Sequence, residues 1–282
     1  MYSCIRISGD DRAGFLQGQL TQNVDRLSQT GTLSTAWCSP KGRVLLTGRL
    51  LACPNSIGLF LPISTVESAI ARLSMYRLRA KVEFEVDETL RCLAFSAAAV
   101  RDPLALDDAS ALSARLGAVT TGPLHAVALG DTVEVFGTTD ALRDAGLSDQ
   151  VALGELHWRQ ARIEAGRPDI DSSNAERFTP HMLNLDRLEA LSFDKGCYTG
   201  QEVVARTEHL GKVKRRLRPY RLMSAEVNVG DKLSLDGTDV GECVNVAGDL
   251  ALAVVATDHH EKTLTAGHGT AEPLPLPYPL AD

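Results

Sequence analysis

Apolar positions follow a mixed strand and helix pattern over the first ninety residues and a pure strand pattern after Gly211. Cys4 to Ser8 reads as a short strand. Asp11 is placed to cap a helix whose apolar residues Phe15, Leu16, Leu20, Val24 and Leu27 share one face. Thr32 to Cys38 and Arg43 to Leu51 read as strands around a Ser39-Pro40-Lys41-Gly42 turn, and Ile57 to Leu61 as another. Ser64 and Glu67 have capping-box spacing for a helix running to about Arg79. Lys81 to Val86 alternates polar with apolar, as a half-buried strand does.

The middle of the chain is less regular. Residues 98–123 are rich in Ala, Leu and Asp, with weak helical character. Asp131 to Phe136 reads as a strand, Thr139 to Ala145 as a short helix, and about Leu153 to Ala165 as a stronger one, stopped by Gly166 and Pro168. Asp169 to Asp194 has little periodicity and holds Asn174, Pro180, His181 and Asn184; a long irregular segment in a compact domain is more often functional than idle. Strands are predicted over 213–222, 231–235, 239–246 and 249–256, with turns at Asp236-Gly237 and Gly248-Asp249. They suggest a small β-barrel or sandwich, and Pro273 to Pro279 reads as an extended tail.

Composition narrows the function classes. The chain has 282 residues, enough for two or three small cores. A net charge of -7 argues against a surface built to neutralise phosphates, so no direct nucleic-acid partner is expected. No apolar run approaches the length of a membrane span, and the N-terminus lacks the features of a signal or transit peptide; a cytoplasmic location, with no membrane partner, is the expectation. The six cysteines, at 4, 38, 53, 92, 197 and 243, form no C-x-x-C pair, and the seven histidines fall in no metal-binding spacing, so no metal site is expected.

Lys195-Gly196-Cys197-Tyr198-Thr199-Gly200-Gln201-Glu202 carries the most chemistry. Lys195 stands two residues before Cys197, and Gly200 can open a helix at Gln201 and Glu202. A cation and a helix N-terminus both favour thiolate over thiol. Gly196 and Gly200 let a ligand approach the backbone, and Tyr198 offers a flat face with a polar tip. A reactive thiol is one reading. A loop cysteine packed inward, with the glycines serving turns, is the other, and local chemistry alone favours it.

The order K-G-C-Y-T-G-Q-E resembles the signature of the YgfZ family, folate-binding proteins similar to the aminomethyltransferase T-protein of glycine cleavage. Three other segments resemble family segments in the same order: Gly14 to Val24 (G-F-L-Q-G-Q-L-T-Q-N-V), Cys38 to Arg43 (C-S-P-K-G-R), and Arg177-Phe178-Thr179-Pro180 with Asn184-Leu185. Arg162-Ile163-Glu164-Ala165-Gly166 resembles the T-protein's R-x-E-A-G, whose Glu hydrogen-bonds the pterin; the alternative for Glu164 is a solvated helix position. Lys212, Lys214, Arg215, Arg216 and Arg218 form a basic run similar to a T-protein strand. It reads either as a solvated, edge-protecting strand face or as a site for the folate glutamate tail.

The resemblance implies an α+β, T-protein-like multi-lobed fold. Residues 1–208 would form a folate-binding region of two interleaved α/β lobes, and 209–282 a C-terminal β-barrel with its tail. A central channel would hold tetrahydrofolate or a derivative, with the signature loop at its rim. Cys197 would be the reactive thiol and Lys195 its activator. Glu164, Tyr198, Gly200, Gln201, Glu202 and Arg216 would contact the folate. The implied role is iron–sulfur cluster assembly or repair, with iron–sulfur proteins or assembly factors as partners and radical-SAM tRNA-modifying enzymes as beneficiaries. The T-protein's G-G-x-x-D-D segment corresponds to Gly42 to Gly48, which has no carboxylate. That absence points away from folate-dependent aminomethyl transfer and from a conventional enzyme. A third expectation is an interaction scaffold with a vestigial cavity.

Overall fold

A computed structural model describes residues 2–104, 118–224 and 226–280. Part of the Ala/Leu/Asp-rich stretch, 105–117, lies outside the described residues. Three antiparallel β systems build the protein. A five-stranded sheet has the order β2-β3-β4-β1-β5. Its strands are β1 (Tyr2–Ser8), β2 (Thr32–Cys38), β3 (Val44–Cys53), β4 (Ser56–Pro62) and β5 (Glu83–Val86). A four-stranded sheet has the order β6-β9-β8-β7, from β6 (Leu90–Ser96), β7 (Ala118–Thr121), β8 (Leu124–Leu129) and β9 (Thr132–Thr138). The closed barrel β10-β13-β12-β11-β14-β15 comprises β10 (Arg215–Met223), β11 (Lys232–Leu235), β12 (Thr238–Ala247), β13 (Leu250–Ala256), β14 (Leu264–Ala266) and β15 (Gly269–Pro273).

Side-chain alternation explains how these layers share cores. Along β1, Ile5 and Ile7 enter the core under helix Val66–Tyr76, whereas Cys4 faces the second sheet and helix Glu155–Glu164. Strand β4 does the same with Ile57, Leu59 and Leu61 on one side and Phe60 on the other. Barrel strand β13 also buries both faces: Ala251, Ala253 and Val255 fill the barrel, and Leu250, Leu252 and Val254 pack on the body. A strand covered twice reads as a continuous apolar run.

The irregular segment 169–194 is held by amide side chains. Asn184 Nδ2 donates to the Leu217 carbonyl of β10 at 2.9 Å, and Asn174 Nδ2 to the Val244 carbonyl of β12 at 2.8 Å. Asn245 returns the contact, accepting from Asp169 N and donating to its carbonyl. These bonds satisfy backbone groups that no ladder reaches.

Several local expectations are corrected. The first helix is short, Arg12–Gln17, and Asp11 does not cap it; its carboxylate accepts from Lys81 N instead. Leu20, Val24 and Leu27 are still buried, carried by a turn, a short 3₁₀ segment and a second helix, Leu27–Thr30. The Ser64/Glu67 capping box does not form; a 3₁₀ turn over Ile63–Thr65 precedes the helix, and the Thr65 hydroxyl bonds the Pro62 carbonyl. Strands β6, β7, β8, β14 and β15 are additions to the sequence reading, β7 falling in the 98–123 stretch that reads as weakly helical. The proline-rich end is docked rather than free. Tyr278 is buried, and its hydroxyl donates to the Gly166 carbonyl at 2.8 Å.

Candidate functional site

Two features stand out: the loop that bears the signature and a charged cavity between the sheets.

Around the loop, three distant segments converge. Gly200 has φ +84°, and a Cβ there would strike the Ser39 carbonyl oxygen, with Gly42 Cα 3.1 Å away. Gly42, at φ +67°, packs in turn on Val203 of helix Gln201–Leu210. These glycines are required because both positions are left-handed and backbone-packed. Lys195 Nζ donates to the Leu20 and Gln22 carbonyls at 2.7 and 2.8 Å and sits 5.1 Å from the Tyr198 ring centre. Burial pushes the Lys195 ammonium down to about 8, against the pull of Asp25. Thr21 binds the same region, its hydroxyl donating to the Ala190 carbonyl.

The side chains of the loop divide by orientation. Cys197 is a free, exposed cysteine with no hydrogen-bond or ionic partner among the described residues. Lys195 therefore anchors the loop through carbonyls and makes no bond to the thiol. Tyr198 is buried, its hydroxyl has no hydrogen-bond partner among the described residues, and burial raises its pKa, as does Cys38. Gln201 and Glu202 form the first turn of the helix that Gly200 opens, Glu202 being exposed.

The cavity, about 50 Å³, lies between the two sheets and the end of helix Glu155–Glu164. Strands β2 and β3 supply Ser34, Thr35, Thr47 and Arg49; β9 supplies Glu134 and Phe136. Arg162 and Arg167 enter from the helix and the turn after it. None of the residues 195–202 lines it.

The charges here are organised around Glu134, which is only 1% exposed. Its Oε1 accepts from Trp158 Nε1 at 2.8 Å and from Arg162 Nη1 at 2.6 Å. Arg162 also forks onto Asp169 at 3.1 and 2.9 Å and lies over the Tyr2 ring. The Tyr2 hydroxyl donates to the same Asp169. Burial raises the Glu134 pKa most, but Arg162, Trp158 and Arg49 together outweigh it and hold the carboxyl below its ordinary value. A neighbouring pocket of about 250 Å³ shares Tyr2, Arg162 and Arg167 as walls and adds Trp158, Asp169 and Asn245.

The other expected contacts lie elsewhere. Glu164 is exposed and lines neither pocket. It follows Arg162 by two residues, about 200° around the helix, so the face that delivers Arg162 turns Glu164 away. Arg216 is buried beside a separate cleft of about 670 Å³, where it donates to Asp186 Oδ1 at 2.6 Å and to the His181 carbonyl at 2.9 Å. His181 lines that cleft too and pairs with Glu208 at 2.9 Å. Sequence reasoning missed Arg49, Glu134, Arg162 and Arg167. Two of them had a signal: Arg49 interrupts the apolar run V-L-L-T-G-R-L-L-A-C, and Glu134 interrupts T-V-E-V-F.

Comparison with known proteins agrees with this architecture. Residues 214–276 match the family model of the CAF17 C-terminal β-barrel domain. The chain is 31% identical to the tRNA-modifying protein YgfZ of Klebsiella pneumoniae, over 98% of its own length and 90% of the relative's. The protein of the same name from Hamiltonella defensa is also 31% identical, over 87% and 72%, and that of Serratia proteamaculans 28%, over 100% and 91%. The crystal structure of glycine cleavage system aminomethyltransferase T from Bartonella henselae superposes with a TM-score of 0.67, over 96% of this chain and 81% of that one. At 16% identity the likeness speaks to the fold, which is T-protein-like and α+β with a closed C-terminal barrel.

Proposed function

The chain belongs to the family of the tRNA-modifying protein YgfZ, and from that premise we propose that it binds tetrahydrofolate or a derivative and serves iron–sulfur cluster assembly or repair. The observation that carries the choice of role is the composition of the cavity wall. Strand β3 presents Thr47, Gly48 and Arg49 there, and no carboxylate. The carboxylate that does line the cavity, Glu134, is bonded to Arg162 and Trp158. A group so held is a poor proton acceptor, and aminomethyl transfer needs a free one.

In this reading residues 1–208 hold the folate and 209–282 brace them. Cys197 is the reacting thiol, and its exposure supports that part. Lys195 fixes the loop that presents it. Tyr198, Gly200, Gln201 and Glu202 shape the approach to the thiol; Glu164, which is exposed, and Arg216, bonded to Asp186 in a separate cleft, stand outside the ligand site in this reading. Partners are iron–sulfur proteins or assembly factors.

Two measurements test the proposal. Calorimetric titration of the full chain with tetrahydrofolate should give saturable heat and protection from unfolding; silence in both would leave a scaffold with a vestigial cavity. Cys197→Ala should retain folate binding and fail to complement a cluster-deficient strain. Full complementation by that variant would remove the thiol from the mechanism. Robust formation of methylene-tetrahydrofolate from an aminomethyl donor would overturn the assignment in favour of a transferase.

A further inference from the structure

Arg49 is 8% exposed in the middle of strand β3. Its guanidinium has five N–H donors. Nη2 donates to Ser34 Oγ at 2.7 Å and Nη1 to Thr32 Oγ1 at 3.4 Å. Both acceptors are neutral hydroxyls, and no carboxylate pairs with Arg49 among the described residues. The ring of Phe136 lies under the cation, 5.5 Å from Cζ. Glu134 favours the charged form, but its bonds go to Arg162 and Trp158.

Buried charges are normally paired, because desolvation of a lone ion costs more than its neutral hydrogen bonds return. Three arginines line this cavity, Arg49, Arg162 and Arg167, and the two carboxylates at hand, Glu134 in the wall and Asp169 behind it, both bond Arg162 rather than Arg49. The imbalance shows in Arg49 itself: burial, then the repulsion of Arg167, push its guanidinium down to about 10. The walls beside it add the hydroxyl-bearing Ser34, Thr35 and Thr47. At about 50 Å³ the space holds on the order of four waters, or one planar group of three or four heavy atoms.

We propose that Arg49 is the receptor of a carboxylate-type oxyanion, which enters the cavity between β3 and β9 and supplies the missing negative charge. A planar group with two oxygens matches the guanidinium fork and the size of the space. The anion is either a free small carboxylate, of the formate or bicarbonate class, or an anionic group carried by a larger ligand. The proposal is independent of the folate reading, since it rests on Arg49 and the cavity alone.

The test uses the full chain, its Arg49→Met and Arg49→Lys variants, and Ser34→Ala, which removes the acceptor orienting the guanidinium. Formate, bicarbonate and tetrahydrofolate are titrated separately at constant ionic strength, with chloride as control. Thermal unfolding and, for the small anions, ¹³C line broadening report binding. Saturable binding of formate or bicarbonate, weakened about tenfold or more in Arg49→Met and less in Ser34→Ala, identifies a free anion. Protection by tetrahydrofolate alone, weakened in the same order, assigns the anionic group to the larger ligand. Arg49→Lys keeps the charge without the fork and should fall between wild type and Arg49→Met; it also covers the case in which Arg49→Met fails to fold. Binding unchanged across these variants, or wild type saturated by none of the three ligands, overturns the proposal.

Discussion

Replacing Glu134 by Gln tests whether the buried charge cluster is a structural necessity. The substitution keeps shape and removes one negative charge. In the native protein Glu134 Oε1 receives two donors, Trp158 at 2.8 Å and Arg162 at 2.6 Å. Hydrogen bonds to a charged group contribute about 1.5–3 kcal/mol and neutral ones about 0.5–1.5, so two weakened bonds cost roughly 2 kcal/mol. Arg162 keeps its fork to Asp169 and is not orphaned. The surplus of buried arginines grows, so the total should reach about 2–4 kcal/mol, overlapping the lower end of the roughly 3–5 kcal/mol seen when a buried pair is broken. Glu134→Ala, which also leaves a cavity, should cost more.

Urea unfolding is the assay, followed by tryptophan fluorescence, to which Trp158 contributes directly, and by far-ultraviolet circular dichroism. Two probes are needed because a protein with several cores need not unfold in one step. The pH dependence has a fixed sign. Glu134 has a folded pKa below its ordinary value, so its contribution is complete above about 4.3 and is lost as pH falls through the lower folded value. The stability gap between wild type and Glu134→Gln should be full at neutral pH and narrow in acid. Equal stability at neutral pH, or a gap that persists undiminished in acid, would refute the reasoning.

Two further substitutions address packing. Gly200→Ala forces a side chain into the Ser39 carbonyl at a left-handed position; it should destabilise by about 2–4 kcal/mol in chemical denaturation and raise the protease sensitivity of the signature loop. Tyr278→Phe removes the bonds to the Gly166 carbonyl and to Asn184, which should cost about 1–2 kcal/mol; ending the chain after Pro273 should cost more, because Leu276 and Leu280 also pack there. Both can be read as shifts in urea midpoint.

The legible parts of this protein were those where local chemistry and global packing agree. Gly42 and the Asp236-Gly237 pair sit at positive φ in the turns their sequence announces. Gln201 opens a helix behind Gly200, and Asn174 and Asn184 are buried in the aperiodic segment 169–194. The segments that resemble one family meet in space, as Lys195 with Leu20 and Gly200 with Ser39 demonstrate. What stayed hidden was decided by partners far along the chain. Asp11 prefers an amide seventy residues away to its own helix. Arg49 and Glu134 sit on neighbouring walls of one cavity through a meeting of two sheets that no periodicity encodes. In R-I-E-A-G the resemblance points to the Glu, while helix geometry sends the Arg inward.

Tyr2, on the first strand, bonds Asp169; Tyr278, near the last described residue, bonds the Gly166 carbonyl. Both tyrosines thus close on one corner in the middle of the polypeptide. A ribosome releases Tyr2 before that corner and Tyr278 only 112 residues after Gly166. Until then the corner behind helix Glu155–Glu164 lacks its last hydrogen-bond partner, and the nascent protein passes through synthesis with its centre unsealed.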